Sequence, residues 1–500
     1  MPHYRDIALG IKTVNHHVFS TNLPGQLFIN NEYVPSKNGK VFSVANPRDG
    51  SLVAENVPLA DGADVNHAVE AAEAAFPSWK LLTGVARREI MLKFAALLDK
   101  HSETLAELSR ITQGAPYLAW GQFEISVAAE SFRYYAGWID KFQGDAYPEE
   151  DGYLKITRHE PLGVTAGIVP WNGPLGTAGA KMAPALATGN TFILKPSEKT
   201  PFAALALGPL IKEAGFPPGV VQVLSGDGTT GALLASHLRI RKISFTGSIP
   251  TGKIIQKLAA ESNLKRVTLE LGGKSPAIIF DDANLDNTLT WCANGIAANT
   301  GQVCFAASRV YVQEGIRDKF VEKFKAALKQ RGEAIGDPDK PTTLMGPLVD
   351  EAQFNKVTGF IQRGLTQGTL VLGGKRVGNT GFFVEPTLFC DVPQEAEIYQ
   401  QEIFGPVVIM NSFKTEEEVI RKANATEYGL MAGVFTQDIN RALRVSSALD
   451  SGMVGVNLVS RHFLNAPFGG TKQSGIGWQN GRAALEAFTE LKTVMVNLTY

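Results

Sequence analysis

Cysteine is scarce in this chain of 500 residues: Cys292, Cys304 and Cys390 are the only three, and none belongs to a Cys-x-x-Cys pair. So sparse and odd a set excludes a disulfide framework and fits a reducing compartment. None of the eight histidines (His3, His16, His17, His67, His101, His159, His237, His462) forms a His-Glu-x-x-His pair. No metal site is expected, and zinc alcohol dehydrogenase chemistry is disfavoured. An excess of one charge is missing too: 48 Lys+Arg stand against 49 Asp+Glu, a net charge of −1. Without clustered cations, a nucleic-acid partner is not expected. No long hydrophobic run occurs. The most apolar stretch, 162–194, is broken by Pro170, Pro174, Lys181, Pro184 and Asn190, and 1–30 mixes polar residues and Pro without a secretory apolar core. No membrane association or signal segment is expected, and the chain reads as soluble and cytoplasmic. The G-x-G-x-x-G fingerprint and the Walker lysine motif are absent as well, which disfavours a nucleotide triphosphatase.

What is present is alternation. At about 150 residues per domain the length suggests roughly three lobes with large cores. From 63 to 110, apolar residues fall at helical spacing (Val65, Ala68, Val69, Ala72, Phe76, then Ile90, Phe94, Leu97, Leu98, Leu105, Leu108), with Asp64 as the expected N-cap. After Tyr153, β-rich runs at 163–169, 191–194, 220–224, 242–245 and 267–269 alternate with helical segments at 176–187, 201–214, 229–236 and 250–261. This βαβαβαβ pattern predicts a parallel sheet covered on both faces. A second alternating block, from 275 to about 470, has runs at 277–280, 310–312, 407–410, 432–435 and 453–456, separated by helices such as 285–298, 317–331 and 415–424. It predicts a second α/β lobe. Residues 491–500 alternate like a terminal strand that needs a partner, in the chain or on another subunit.

Ligands of open parallel sheets bind at the carboxyl ends of the strands, and here polar and glycine residues recur at those ends. The runs are followed by Pro170-Trp171-Asn172, Lys195-Pro196-Ser197-Glu198, Ser225-Gly226-Asp227-Gly228, Thr246-Gly247-Ser248 and Glu270-Leu271-Gly272-Gly273-Lys274. Phe245-Thr246-Gly247-Ser248-Ile249-Pro250-Thr251-Gly252 enters a helix whose N-terminus suits a pyrophosphate, although an ordinary Gly/Ser helix start reads the same. Lys195 and Glu198 could hold an adenosine ribose or form a solvated ion pair. A carboxylate there would repel a 2′-phosphate and favour NAD over NADP. Cys304 follows Asn299-Thr300-Gly301-Gln302-Val303 in a polar turn, where a thiol of lowered pKa would be a strong nucleophile and an ordinary one a small core residue. Cys292, in an apolar helical run, and Cys390, at the end of an apolar strand, read as buried and inert. Glu270, beside apolar strand residues, would have a raised pKa suited to a general base, or would be a hydrogen-bonded turn residue.

The ordered set Pro170-Trp171-Asn172, Lys195-Pro196-Ser197-Glu198, Gly247-Ser248, Leu269-Glu270-Leu271-Gly272-Gly273-Lys274, Gly301-Gln302-Val303-Cys304, Glu402-Ile403-Phe404-Gly405-Pro406 and Pro467-Phe468-Gly469-Gly470 resembles the NAD(P)-dependent aldehyde dehydrogenase superfamily, from about residue 27 to 497. The resemblance implies an α/β fold with a Rossmann-type cofactor domain (1–141 and 161–272), an α/β catalytic domain (273–472) and a small β oligomerisation arm (142–160 and 485–500), in a homodimer or homotetramer. It implies Cys304 as nucleophile, Glu270 as general base, Asn172 as an oxyanion donor alongside the Cys304 N–H, and Lys181 as an aid to proton relay. It places Lys195, Ser197 and Glu198 at the adenosine ribose, Gly247 and Ser248 at the pyrophosphate, and Glu402 and Phe404 at the nicotinamide. Pro170, Trp171, Gly226, Gly228, Phe245, Thr251 and Leu271 complete the expected cofactor crevice, and Gly173, Thr177, Phe305, His462 and Phe468 the substrate pocket. The implied reaction is oxidation of an aldehyde to the acid, with NAD as cofactor, through a thiohemiacetal and a thioester.

Some positions depart from the pattern. Phe305 follows the nucleophile where small or sulfur-containing residues are usual, and Trp478-Gln479 replaces a charged pair, which bears on proton exit. Gly173, Thr177 and Ala180 stand where acetaldehyde-type enzymes carry larger side chains, so a roomy tunnel for aromatic or branched aldehydes is expected. A CoA-acylating semialdehyde dehydrogenase, a non-catalytic structural relative and a cysteine hydrolase stay as alternatives. Retention of Glu270 favours water as the acyl acceptor.

Overall fold

A computed structural model describes residues 25–499. Its larger sheet has eight strands in the order Gly475–Ile476, Arg266–Glu270, Lys242–Thr246, Val164–Ile168, Thr191–Lys195, Val221–Val223, Leu27–Ile29, Glu32–Val34. The five central strands are parallel, as the apolar runs predict. The edges are not: Leu27–Ile29, Glu32–Val34 and Gly475–Ile476 pair antiparallel, so the wholly parallel sheet read from the alternation is corrected at both sides. These edge strands are two or three residues long, too short for a periodic signal.

Chain order runs outward from Val164–Ile168 in one direction and from Lys242–Thr246 in the other. That reversal opens a crevice beyond their carboxyl ends, between Val169-Pro170-Trp171 and Gly247-Ser248. One face of the sheet is covered by helices that include Gly84–Lys100, Gln122–Ala136 and Pro174–Ala187, the other by Gly62–Leu81, Gly228–Ser236 and Ile249–Ser262.

The second sheet has seven strands in the order Thr369–Leu372, Thr387–Cys390, Val407–Phe413, Arg309–Gln313, Pro276–Ile279, Met431–Phe435, Met453–Val456. All pairings are parallel except that of Thr369–Leu372. Strict alternation splits its core: Ile278, Tyr311 and Ile409 face one helical layer, and Ala277, Ile279, Val310 and Val312 the other. Cys292 and Cys390 are buried in the second of these layers.

Local corrections have local causes. Asp61, not Asp64, caps the first helix and accepts from the N–H groups of Ala63 and Asp64, while Asp64 closes the capping box by accepting from the Asp61 N–H. The helix expected over 201–214 is two, Phe202–Leu205 and Leu207–Ala214. The terminal strand is Thr489–Asn497, and its partner is in the same chain: it pairs antiparallel with Tyr153–Pro161, which pairs with Ala146–Glu150. Tyr500 and the 1–24 part of the expected cofactor domain lie outside the described residues. Among the described residues no helix is long and apolar enough to cross a membrane, and no His/Cys/Asp/Glu group is arranged to hold a metal ion.

Candidate active site

The carboxyl edge of the first sheet meets the amino edge of the second. Cys304 sits on the loop entering Arg309–Gln313, after a turn in which Asn299, Thr300 and Gly301 have φ of 46°, 55° and 73°. Three consecutive left-handed residues reverse the chain at the end of the helix Leu285–Ala297. Hydrogen bonds hold the reversal: Thr300 Oγ1 donates to Gly346 O at 2.8 Å, and Gln302 Nε2 to Asn299 O at 3.0 Å. Gly273 closes the approach from the other side, since a Cβ there would lie 2.4 Å from Cys304 O.

Asn172 is pinned to this loop. Its Nδ2 donates to Gln302 O at 2.8 Å, and its own carbonyl accepts from Gln113 Nε2 (2.6 Å), Trp120 Nε1 (3.1 Å) and Asn299 Nδ2 (3.2 Å). Gln113, Trp120, Asn299 and Gln302 were not among the sequence candidates. Nor was Glu124, a buried carboxylate that accepts from the N–H groups of Leu175 and Gly176 at the start of the helix Pro174–Ala187. Burial pushes its carboxyl up to about 7 against those two donors. A helix N-terminus wants a negative group, and Glu124 supplies it from a distant segment.

Glu270 ends the strand Arg266–Glu270 and is 2% exposed, with Oε1 lacking a hydrogen-bond partner among the described residues. Burial raises its carboxyl to about 8, and the Lys181 charge opposes the rise. Lys181, also buried, is lowered to about 7 by the same desolvation, with Glu270 pulling it up. The Cys304 thiol is pushed well above its usual range by burial and by the negative Glu270 and Glu402, although the N–H groups of Cys304 and Phe305 favour the thiolate. Enclosure and the two carboxylates outweigh the backbone donors.

Most of the expected cofactor residues stand at or just beyond the carboxyl ends of the strands of the larger sheet. Lys195, 3% exposed, donates to Pro196 O at 3.0 Å, and Ser197 Oγ to Glu198 Oε2 at 3.3 Å. Ser248 caps the helix Ile249–Ser262, accepting from Thr251 N–H and contacting Thr251 Oγ1 at 2.9 Å. Gly247 packs on the Phe245 ring, and Gly252 on Leu271. Gly226 lies against Thr230, whereas a Cβ at Gly228 would meet nothing within 4 Å. Glu402 lies over Gly272 and accepts the Gly273 N–H at 3.0 Å. Phe404, at φ 60°, meets Trp171 edge to face with centroids 5.3 Å apart, and Lys199 lies over the Trp171 ring. Pro170 joins Val169 to Trp171 at the same edge.

Phe305, His462 and Phe468 form a triangle beside Cys304, with centroids 5.0 to 5.8 Å apart. Burial and the Arg461 charge lower His462 to about 4, so the ring is neutral at pH 7. Gly173 begins the helix on which Thr177 lies one turn on, and a Cβ at Gly173 would approach Thr177 Oγ1 at 3.5 Å. Gln479 is buried with its Nε2 unpartnered among the described residues.

Comparison with known proteins fits this geometry. Human retinal dehydrogenase 2 is 46% identical over 478 residues, covering 95% of this chain and 92% of the relative. An aldehyde dehydrogenase of Emericella nidulans is 45% identical over 489 residues, covering 97% and 98%. Among solved structures, the P. syringae indole-3-acetaldehyde dehydrogenase AldA, in complex with NAD+ and IAA, superposes with a TM-score of 0.93 at 40% identity, covering 95% of this chain and 97% of that one. The sequence pattern of the aldehyde dehydrogenase family matches residues 33–494, nearly the whole described structure, and the chain belongs to that family.

Proposed function

We propose that the protein oxidises an aldehyde bulkier than acetaldehyde to its carboxylic acid with NAD, through a thiohemiacetal and then a thioester on Cys304. The observation that carries this reading is the junction itself: Cys304 and its loop are tied to Asn172 through the 2.8 Å bond to Gln302 O, with Glu270 buried alongside.

The crevice suits NAD. Lys195 Nζ has donors to spare beyond its one bond to Pro196 O, and the bare Gly228 leaves the helix start beside it open. Lys195, Ser197 and Glu198 would hold the adenosine ribose, Gly247 and Ser248 the pyrophosphate, and Glu402 with Phe404 the nicotinamide end. When bound, the oxidised nicotinamide supplies the hydride acceptor.

The remaining steps belong to the chain. The Cys304 thiol is protonated at rest, so its proton passes to Glu270 as the sulfur attacks the carbonyl carbon. The second N–H of Asn172 Nδ2 and the Cys304 N–H stabilise the oxyanion as it forms. Once it has lost the thiol's proton to solvent, Glu270 takes a proton from the water that attacks the thioester and returns it to the departing sulfur, which releases the acid and the free thiol. Retention of this buried base favours water over CoA as the acyl acceptor. The Phe305, His462 and Phe468 rings and the small Gly173 and Thr177 shape a pocket for a flat or branched body.

The same reading takes the described part of 1–141 together with 161–272 as the cofactor lobe, 273–472 as the catalytic lobe, and the arm of 142–160 and 485–500 as the seam of a homodimer or homotetramer in the cytoplasm. Both outer arm strands have an open edge, and Leu491, Met495 and Leu498 are exposed there.

A panel of aliphatic, aromatic and amino aldehydes, each with NAD and with NADP, tests the reading by formation of reduced nicotinamide. Larger aldehydes and NAD are preferred, and Cys304→Ala is inactive. Efficiency that peaks at acetaldehyde overturns the substrate class, turnover by Cys304→Ala overturns the mechanism, and acid formation that requires CoA overturns the role of water.

A further inference from the structure

Ligand pockets are mostly apolar walls in which a few placed polar groups set the orientation of what binds. Of the three rings beside Cys304, two are phenylalanines, Phe305 and Phe468. The third is His462. It meets Phe305 edge to face with centroids 5.3 Å apart, and Phe468 at a tilt of 54° with centroids 5.0 Å apart. A phenylalanine would make the same ring contacts. The imidazole adds polar atoms to them, and neither ring nitrogen has a hydrogen-bond partner among the described residues.

A loose loop does not account for these unpaired nitrogens, because the chain is fastened on both sides of the ring. Two residues earlier, Ser460 takes left-handed backbone at φ 55°. Its Oγ accepts from the Ala307 N–H at 3.0 Å and donates to Phe305 O at 3.0 Å, so it grips the chain just after Cys304. Asn457, also left-handed at φ 57°, donates through Nδ2 to Thr436 O at 3.0 Å and accepts the Thr436 N–H at 3.1 Å. Between them Val459 is fully buried. Beyond His462, Leu464 O accepts the Gly481 N–H at 2.8 Å. The ring is therefore held at a fixed place relative to the nucleophile loop.

That place is between the loop and solvent. Arg461 and Phe463, its neighbours in the chain, are exposed, and His462 itself is half-buried. Solvent serves the nitrogens while the pocket is empty. A flat body lying against these rings excludes that solvent, and a polar group stripped of water without a new partner carries its full desolvation cost. Aldehydes differ in whether they supply the partner. A hydroxyl on the ring both donates and accepts, whereas a hydrogen or a methyl group does neither. An imidazolium would offer donors only, but burial and the Arg461 charge hold His462 at about 4, so at pH 7 it keeps one donor and one acceptor.

We propose that His462 is a specificity-determining residue that selects aryl aldehydes carrying a hydroxyl on the ring, through a hydrogen bond between that hydroxyl and the imidazole. The proposal rests on the reading of Phe305, His462 and Phe468 as the wall of the aldehyde pocket. The substrate lies with its carbonyl at Cys304 and its hydroxyl at His462. The hydroxyl takes no part in the reaction, and the product is the hydroxyaryl acid.

The test compares meta- and para-hydroxyphenylacetaldehyde with their methyl counterparts at pH 7, where the phenol stays un-ionised. It is run with saturating NAD on the wild type, His462→Phe and His462→Gln. In the wild type at least one hydroxy aldehyde exceeds its methyl counterpart about tenfold in kcat/KM, the upper end for one neutral hydrogen bond. His462→Phe brings that ratio to about one, and His462→Gln, whose amide both donates and accepts, restores part of it. The ratio within each variant is insensitive to partial unfolding, because both aldehydes meet the same active fraction. Equal efficiencies in the wild type overturn the proposal, as does a preference that survives His462→Phe. Acetaldehyde turned over better than every member of the panel instead strikes the underlying reading of the pocket.

Discussion

Asn172 donates through Nδ2 to the carbonyl of Gln302, two residues before Cys304, across 130 positions of sequence. This bond aligns the carboxyl edge of one sheet with the amino edge of the other at the point where the reaction is proposed to occur. Asn172→Ala removes both the tie and the oxyanion donor. A loss in kcat of about 10²–10³-fold is expected, the range for deleting one such donor. Steady-state kinetics check it, and a melting temperature within a few degrees of the wild type separates it from unfolding.

The pH dependence has a definite sign. As the proposed base, Glu270 can act only when ionised, and burial holds its carboxyl at about 8, so kcat is expected to climb with pH through that value. The Lys181 charge lowers the Glu270 pKa, so its removal in Lys181→Met moves the acid limb of the profile to higher pH. A limb that moves to lower pH would contradict the coupling.

A Cβ at Gly173 would touch Thr177 Oγ1 at 3.5 Å and meet no other atom within 4 Å. Filling that space with Gly173→Phe lowers kcat/KM for aromatic aldehydes by roughly 10–100-fold, the discrimination an apolar pocket achieves, while acetaldehyde is spared. The ratio of the two kcat/KM values is the measurement. An equal loss for both aldehydes would place Gly173 outside the substrate path.

Lys274 supplies a stability test independent of turnover. Its amine is buried without a partner among the described residues. Burial, then Arg309, lower it from 10.5 to about 7, with Glu402 opposing and Lys356 adding to the lowering. The folded state therefore holds fewer protons than the unfolded state between those values. Stability rises with pH across that window, and the full penalty applies below about 7. In Lys274→Met that contribution disappears: the protein melts higher at pH 7, and the slope between pH 7 and 10 falls by about 1.4 kcal/mol per pH unit. Chemical denaturation at three pH values reads it.

The central strands were legible because burial on both faces writes them as apolar runs, and the candidate site drew notice because polar residues cluster where those runs end. Other features depend on partners far along the chain. Glu124 caps a helix that starts 51 residues later, and nothing local marks it. Asp61 and Asp64 both satisfy the cap signal, and only the backbone geometry separates their roles. One polar face of the larger sheet did leave a trace, since Lys242-Ser244-Thr246 and Arg266-Thr268-Glu270, paired in register, are polar at every second position of their strands. Period-2 polarity normally marks a face turned to water, and only the covering helix with Lys181 shows that this one is sealed.

The reversal at Asn299, Thr300 and Gly301 has a consequence for timing. Left-handed backbone costs roughly 1–2 kcal/mol at each non-glycine position, so this segment would straighten if released from Gly346, Gln302 and Asn172. That expense is met once, when the chain folds. On the proposed mechanism each arriving aldehyde then finds the sulfur already aimed, and none of its own binding energy is drawn off to bend the loop.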